Sequence, residues 1–137
     1  GINVFAGNDK ATVVTDTGVI SDNILRRIDD TTLLVLEANY DPHMLRFGPY
    51  QPFLKQRVAS DEGHLSNEMA AQALLMMKRP DFMQVILAHR SENNNNAVLV
   101  TQTIGKMLVD GGVRIGPEMK LQHGQPNEIV SIQSVER

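Results

Sequence analysis

Three side chains of this sequence, Asp16, His64 and His89, are of the types that metal-dependent hydrolysis uses. Asp16 lies in "VVTDTG", directly after a β-rich run, and His89 ends the apolar run "FMQVILAH". Imidazole and carboxylate together bind borderline divalent ions, so Asp16 and His89 form a chemically sensible part of a ligand set. Each also has an ordinary structural interpretation, an Asx turn for Asp16 and a histidine bonded to a backbone carbonyl for His89.

His64 precedes a predicted helix in "SDEGHLSNEMAAQALL". Ser66 or Asn67 can cap that helix, which leaves the imidazole free in the loop before it. The positive end of a helix dipole favours a neutral imidazole, which could orient a phosphate or protonate a leaving group. The alternative is an exposed loop residue. We expect the two remaining histidines to lie at the surface; they are His43 and His123.

The elements that position these residues alternate between strands and helices. Apolar runs and turn signals predict strands at 2–6, 11–15, 32–38, 82–89 and 127–135. Helices are predicted from Ser21 or Asp22 to Ile28, over 52–60, after Ser66 and over 96–110, the last closed by Gly111 and Gly112. The apolar face of the third is predicted to contain Leu65, Met69, Ala73 and Met77, and that of the fourth Val100, Ile104, Met107 and Leu108.

This order predicts the α/β class, with helices packed on a sheet. In such sheets, sites collect at the carboxyl ends of the strands. Asp16, Glu37 and His89 all lie at predicted strand ends.

Composition excludes several other classes of protein. The 137 residues correspond to a single domain, and the absence of cysteine excludes disulfides, zinc ribbons and thiol nucleophiles and suits a reducing cytoplasm. No apolar run reaches 18 residues, so we expect no membrane-spanning helix. The N-terminal "GINVFAG" lacks the features of a secretory signal peptide and has no initiator Met. A net charge of −3 means that nucleic-acid binding would need a local basic patch, for which the candidates are Arg26, Arg27, Arg46, Lys55 and Arg57. Walker, G-x-G-x-x-G, G-x-S-x-G and H-E-x-x-H motifs are absent.

Three stretches, in order, resemble a known family. "TDTG", "LVLEANYDPHMLRFGPYQPFLKQRVASDEGHLSN" and "ILAHRSENNN" are similar to the C-terminal half of a metallo-β-lactamase-fold hydrolase. The nearest branch is the exonuclease-like family called YycJ or WalJ, and ribonuclease Z is more distant. The similarity covers about residues 1–110, and its most specific part is the middle stretch.

The resemblance implies half of an αβ/βα sandwich, a mixed sheet with helices on one face, and a centre of two divalent ions, zinc or manganese, that hydrolyses phosphodiesters of nucleic acid. It implies that Asp16 bridges the ions, that His89 is a metal ligand, and that His64 contacts phosphate or donates a proton. It also implies substrate contacts for four residues, Asn39, Asp41, Lys55 and Arg57.

Two departures from the family pattern bear on activity. The H-x-H-x-D-H run and the N-terminal half that contains it are absent, so we expect an N-terminal segment or a partner chain to complete the fold. A homo-oligomer is a further expectation. Tyr40 and Arg90 replace a histidine and a leucine of the pattern, which bears on substrate handling. Two further hypotheses remain open: a non-catalytic subunit that kept the fold, and a di-metal hydrolase of small molecules.

Overall fold

Five strands form one mixed sheet in the computed structural model, which describes residues 2–124. They are β1 (Ile2–Ala6), β2 (Asp9–Val14), β3 (Leu33–Glu37), β4 (Met83–Ala88) and β5 (Met119–His123), and their order in the sheet follows the chain. β1 runs antiparallel to β2, whereas β2, β3, β4 and β5 are mutually parallel. The carboxyl ends of four strands therefore meet at one edge of the sheet.

Five helices connect or precede the parallel strands. They are α1 (Asp22–Ile28), α2 (Pro42–Phe47), α3 (Pro52–Val58), α4 (Asn67–Met76) and α5 (Ala97–Asp110). Side chains cap four of them at the N-terminus, because the oxygens of Ser21, Asp41, Ser66 and Asn96 accept hydrogen bonds from the first turn. Pro42 and Pro52 open α2 and α3, where a missing N–H carries no penalty.

The core lies between one face of the sheet and the helices α1, α4 and α5. The sheet contributes alternate residues such as Leu34, Leu36 and Val85, and the helices contribute residues such as Leu74 and Ile104. This alternation follows from the two-residue period of a strand. The result is an α/β fold with a mixed sheet and helices on one face, as predicted.

The opposite face of the sheet carries a row of apolar side chains. Register pairs Ile2 with Val13, Val13 with Val35, and Val35 with Ile86. Val35 and Ile86 are half-buried, and Ile2 and Val13 are exposed. No helix of the described residues covers this row.

Two elements differ from the sequence prediction. The short helix α2 and the strand β5 were not predicted, although Asp41 and Pro42 form a recognisable helix start. The predicted apolar face of α4 is confirmed, because Leu65, Ala73 and Met77 are buried and Met69 packs partly buried against the core. Ala70, Ala71 and Leu74 widen the buried surface of the helix. The strand predicted at 127–135 lies outside the described residues.

Among residues 2–124, no helix is long and apolar enough to cross a membrane.

Candidate active site

Four side chains converge at the carboxyl edge of the parallel strands. Asp16 follows β2, Glu37 ends β3, His89 follows β4, and His64 lies in the loop before α4. One ligand atom from each lies within 4.8 Å of the others. The three residues predicted from the sequence, Asp16, His64 and His89, are thus neighbours, and Glu37 joins them.

Glu37 is the centre of this cluster. Its side chain is 0% exposed, whereas those of His64, His89 and Asp16 are 30%, 47% and 71% exposed. Glu37 Oε1 lies 2.7 Å from His64 Nδ1 and 2.5 Å from His89 Nδ1. Glu37 Oε2 accepts hydrogen bonds from the backbone N–H groups of Asp16 and Leu65, at 3.1 and 3.4 Å. A buried carboxylate needs such compensation, because desolvating an unpaired charge is costly.

The donor set fits a divalent ion of the zinc or manganese type. Two imidazoles and a carboxylate are ordinary ligands for both. Asp16 Oδ1 lies 3.6 Å from His89 Nδ1 and 3.9 Å from His64 Nδ1. These separations place the Asp16 carboxylate beside both imidazole rings, beyond hydrogen-bond length. The contacts of Glu37 with the histidines are shorter, at hydrogen-bond length.

Glu37 therefore acts as a hydrogen-bond acceptor rather than as a third ligand in this geometry. A neutral histidine that donates its Nδ1 proton to a carboxylate keeps the lone pair of Nε2 for a ligand or a proton. Carboxylates commonly fix metal-binding histidines in this way. The sequence predicts Glu37 at a strand end but gives no signal of its role, which follows from its burial between two imidazoles.

Two residues of the cluster adopt a left-handed backbone conformation. Asp16 has φ of 58° and His89 has φ of 57°. Such conformations cost about 1–2 kcal/mol for residues other than glycine and are found at functional sites. They turn the chain sharply at the ends of β2 and β4. In this way the two side chains are held over the edge of the sheet.

Glycines bring the loop of Asp16 against the loop of His64. The N–H of Gly18 donates to the carbonyl of Asp61 at 3.0 Å, and a Cβ on Gly18 would lie 1.7 Å from the carbonyl oxygen of Ser60. A Cβ on Gly63 would lie 2.2 Å from the carbonyl oxygen of Arg57. Only glycine permits both approaches, which explains these glycines of "TDTG" and "EGHLS".

Asn39 joins the loops that carry the two histidines. Its side-chain Nδ2 donates to the carbonyl of His89 at 2.7 Å, and its backbone carbonyl accepts from Ser91 N–H at 2.8 Å. Its backbone N–H donates to the carbonyl of Leu65 at 2.9 Å. Asn39 is buried. It is therefore built to position His89, in addition to any contact with substrate.

The other predicted substrate residues lie around this centre in local roles. The Asp41 carboxylate caps α2 by accepting from Met44 N–H at 2.9 Å. Lys55 Nζ donates to the carbonyl of Arg46 at 2.8 Å, and Arg57 lies exposed in the last turn of α3. None of these three belongs to the four-residue cluster.

Tyr40, which the resemblance aligns with a histidine of the family pattern, is buried. Burial raises the pKa of its phenol, and the nearby Glu68 carboxylate raises it further. The phenol is therefore neutral around pH 7. Its backbone carbonyl accepts from Asn67 N–H at 3.0 Å and thereby fixes the start of α4. Of the two histidines expected at the surface, His43 is exposed, but His123 is partly buried and contacts Thr101.

Two cavities flank the cluster. One of about 310 Å³ is lined by both histidines of the cluster and by Asn39, Tyr50, Arg90 and Asn94, among others. A second of about 690 Å³ lies between the end of β2 and α1, where Arg26 and Arg27 face it. Arg26 and Arg27 were predicted as part of a basic patch, and the structure places them beside the Asp16 loop.

Exodeoxyribonucleases of two bacterial species are similar to this chain over most of its length. An exodeoxyribonuclease YycJ from Bacillus anthracis is 34% identical over 128 residues, which are 93% of this chain and 48% of that protein. Exodeoxyribonuclease WalJ of Streptococcus pneumoniae, from serotype 2 strain D39 and from strain R6, is 35% identical over 124 residues, 90% of this chain and 46% of that protein. The chain is a homologue of the YycJ/WalJ proteins. No protein-family model matches it.

The resemblance to the YycJ/WalJ family predicted from the sequence is thereby confirmed. The chain spans about half the length of the curated YycJ/WalJ relatives it matches.

Proposed function

We propose that this chain forms part of a metal-dependent hydrolase that cleaves phosphodiester bonds of nucleic acid from a strand end. The observation that carries the proposal is the convergence of Asp16, Glu37, His64 and His89 at one edge of the sheet. The relatives are named exodeoxyribonucleases, which supports DNA as the substrate. A small-molecule ester remains the alternative substrate for the same chemistry.

Asp16 and His89 would be the residues of this chain that hold a pair of divalent ions. When bound, such a pair activates a water as nucleophile and neutralises charge on the attacked phosphate. Zinc and manganese both suit these ligands. The remaining ligands would come from outside this chain.

His64 would take up a proton at Nε2 from solvent and pass it to the leaving oxygen. Its Nδ1 is fixed 2.7 Å from the buried Glu37 carboxylate, which holds the ring in one orientation. Asn39 would keep His89 in place through the hydrogen bond to its carbonyl. Lys55 and Arg57, on α3, would contact substrate phosphates.

We propose further that an N-terminal portion like that of the relatives, or a partner chain, covers the free face of the sheet. The apolar row from Ile2 to Ile86 supports this, since exposed apolar surface of this kind marks an interface. The absence of cysteine agrees with a cytoplasmic location as part of the same proposal.

A non-catalytic subunit is the second candidate. It is favoured by the two contacts of Glu37 with the histidines, which satisfy the buried carboxylate within the protein itself. Under this hypothesis the cluster only stabilises the fold.

One experiment separates the two candidates. Metal content is measured by native mass spectrometry after zinc or manganese is supplied, and hydrolysis of end-labelled DNA is measured in parallel, for the chain alone and with its completing segment or partner. Asp16→Asn and His89→Asn should abolish both readouts, because each removes a proposed metal ligand. Asparagine tolerates the left-handed backbone at these positions, so the fold should be kept. His43→Asn, at an exposed position outside the cluster, is the control. Metal binding and hydrolysis that survive both cluster substitutions would refute the proposal.

A further inference from the structure

The cavity beside the two histidines has the lining of a nucleotide site. The residues that line it include aromatic Tyr50, cationic Arg90, the amide residue Asn93 and acidic Glu92. Aromatic rings stack on bases, guanidinium groups pair with phosphates, and amides hydrogen-bond base edges. All three kinds of group thus line one cavity that His64 and His89 also reach.

The cavity has room for one nucleotide unit. Its volume of about 310 Å³ lies at the lower end of the range for small-molecule sites, about 300–1,000 Å³. Tyr50 enters from the segment between α2 and α3, whereas Arg90 enters from the loop after β4. The two residues therefore come from separate segments of the chain.

The backbone of these two walls is joined by hydrogen bonds. The N–H of Asp41, before α2, donates to the carbonyl of Asn94 at 2.8 Å, and Ser91 N–H donates to Asn39 carbonyl at 2.8 Å. Ser91 Oγ accepts from Asn94 N–H at 3.1 Å, which closes the loop after β4. The cavity is consequently held open by fixed backbone, which reduces the entropy lost on binding.

From this geometry we propose that the cavity binds the terminal deoxynucleotide of the strand, next to the scissile bond. Tyr50 stacks on the base and Arg90 pairs with a phosphate. The inference rests on the proposed function, since it names the part of the DNA substrate that occupies the space beside His64 and His89. Occupation by one terminal unit would place the first phosphodiester beside the histidines, so the products would be mononucleotides.

The test uses the two tyrosines of the chain. The protein is produced with 3-fluorotyrosine, so ¹⁹F NMR shows one signal from Tyr50 and one from Tyr40, assigned with Tyr50→Phe. Deoxynucleoside monophosphates are added in the presence of a metal chelator. We expect a saturable shift of the Tyr50 signal and none of the buried Tyr40 signal. No shift of Tyr50 at millimolar nucleotide, or the same shift with inorganic phosphate alone, would overturn the inference.

A pair of arginine substitutions checks the phosphate contact. Arg90→Gln should weaken nucleotide binding about tenfold, as expected for the loss of a charge-assisted hydrogen bond. Arg114→Gln is the control, because Arg114 is exposed and pairs with Glu118 away from the cavity. Equal affinity of the two variants would contradict the role of Arg90.

Because the chelator prevents metal-dependent hydrolysis, nucleotide binding to the cavity is measured independently of the proposed function. Nucleotide binding without hydrolysis in any metal-supplied assembly would refute the hydrolase and uphold the cavity. Hydrolysis of DNA without nucleotide binding, and with normal rates for Tyr50→Leu, would overturn the cavity and uphold the hydrolase. Phe53→Leu is the control for Tyr50→Leu, because Phe53 is an exposed ring outside the cavity.

Discussion

His64 Nδ1 lies 2.7 Å from Oε1 of Glu37, a carboxylate that is wholly buried at the end of β3. The two residues are 27 positions apart in the chain. Their contact links the loop before α4 to the edge of the sheet. The same oxygen contacts His89, so one carboxylate orients both imidazoles.

Glu37→Gln should destabilise the fold by about 2–3 kcal/mol. The amide keeps the size of the side chain, but it replaces charge-assisted hydrogen bonds with weaker neutral ones and presents an N–H₂ group to at least one neighbour. Urea unfolding followed by circular dichroism measures the change. Glu62→Gln, an exposed position in the same loop region, should change stability by no more than about 0.5 kcal/mol. Equal stabilities of the two variants would contradict the role of Glu37.

Particular residues explain how far the sequence predicts this site. Asp16 and His89 are predictable because each follows an apolar run, and parallel strands end at one edge. The approach of His64 depends on Gly18 and Gly63, whose tight packing is a tertiary property with no local signature. Glu37 ends an apolar run as a surface residue also would, so its burial could not be read from the sequence.

The elements of the fold also differ in how well the sequence predicts them. β3 and β4 were predicted from their length and hydrophobicity, since buried parallel strands are nearly continuous apolar runs. β5 contains Lys120, Gln122 and His123 and depends on pairing with β4, so its local pattern is faint. The six-residue helix α2 is too short for a periodic signal, and only its Asp-Pro start marks it.

Gly18→Ala should lower the free energy of unfolding by about 1–3 kcal/mol. Its Cβ would fall 1.7 Å from a backbone oxygen, so the Asp16 and His64 loops would have to separate. Gly105→Ala is the matched control. Gly105 lies inside α5, where a Cβ would meet Ile115 Cδ1 at 4.0 Å, an ordinary van der Waals contact, so alanine there should stabilise the protein by about 0.5–1 kcal/mol. Thermal unfolding that shifts in the same direction for both variants would contradict this prediction.

The buried amides of Asn67 and Asn95 should show strong energetic coupling. They form two reciprocal hydrogen bonds of 3.0 and 2.8 Å, and Asn95 also donates to the carbonyl of Ala38 at 3.2 Å. Each single change to alanine strands the partner amide and should cost about 1–3 kcal/mol. The double variant should cost less than the sum, with a coupling of about 0.5–3 kcal/mol. Additive effects in the urea-unfolding cycle would refute the coupling, and the exposed Asn93→Ala is the control.

His123 should make stability depend on pH below neutrality. Burial lowers the pKa of its imidazole below the ordinary value of 6.5, and the nearby Arg90 lowers it further. The folded protein therefore favours neutral His123, whose Nε2 lies 2.9 Å from Thr101 Oγ1. This contribution is complete above pH 6.5 and is lost as pH falls from 6.5 towards the lower pKa of the folded state.

His123→Gln should accordingly reduce the loss of stability between pH 7.5 and the acid side of this window, as measured by urea unfolding at each pH. An NMR titration of the imidazole should give a midpoint below 6.5 in the folded protein. Arg90→Gln should raise that midpoint part of the way, because the charge of Arg90 is the smaller of the two causes and burial is unchanged. A folded-state midpoint at or above that of the urea-unfolded chain would contradict both the burial of His123 and the sign of its effect.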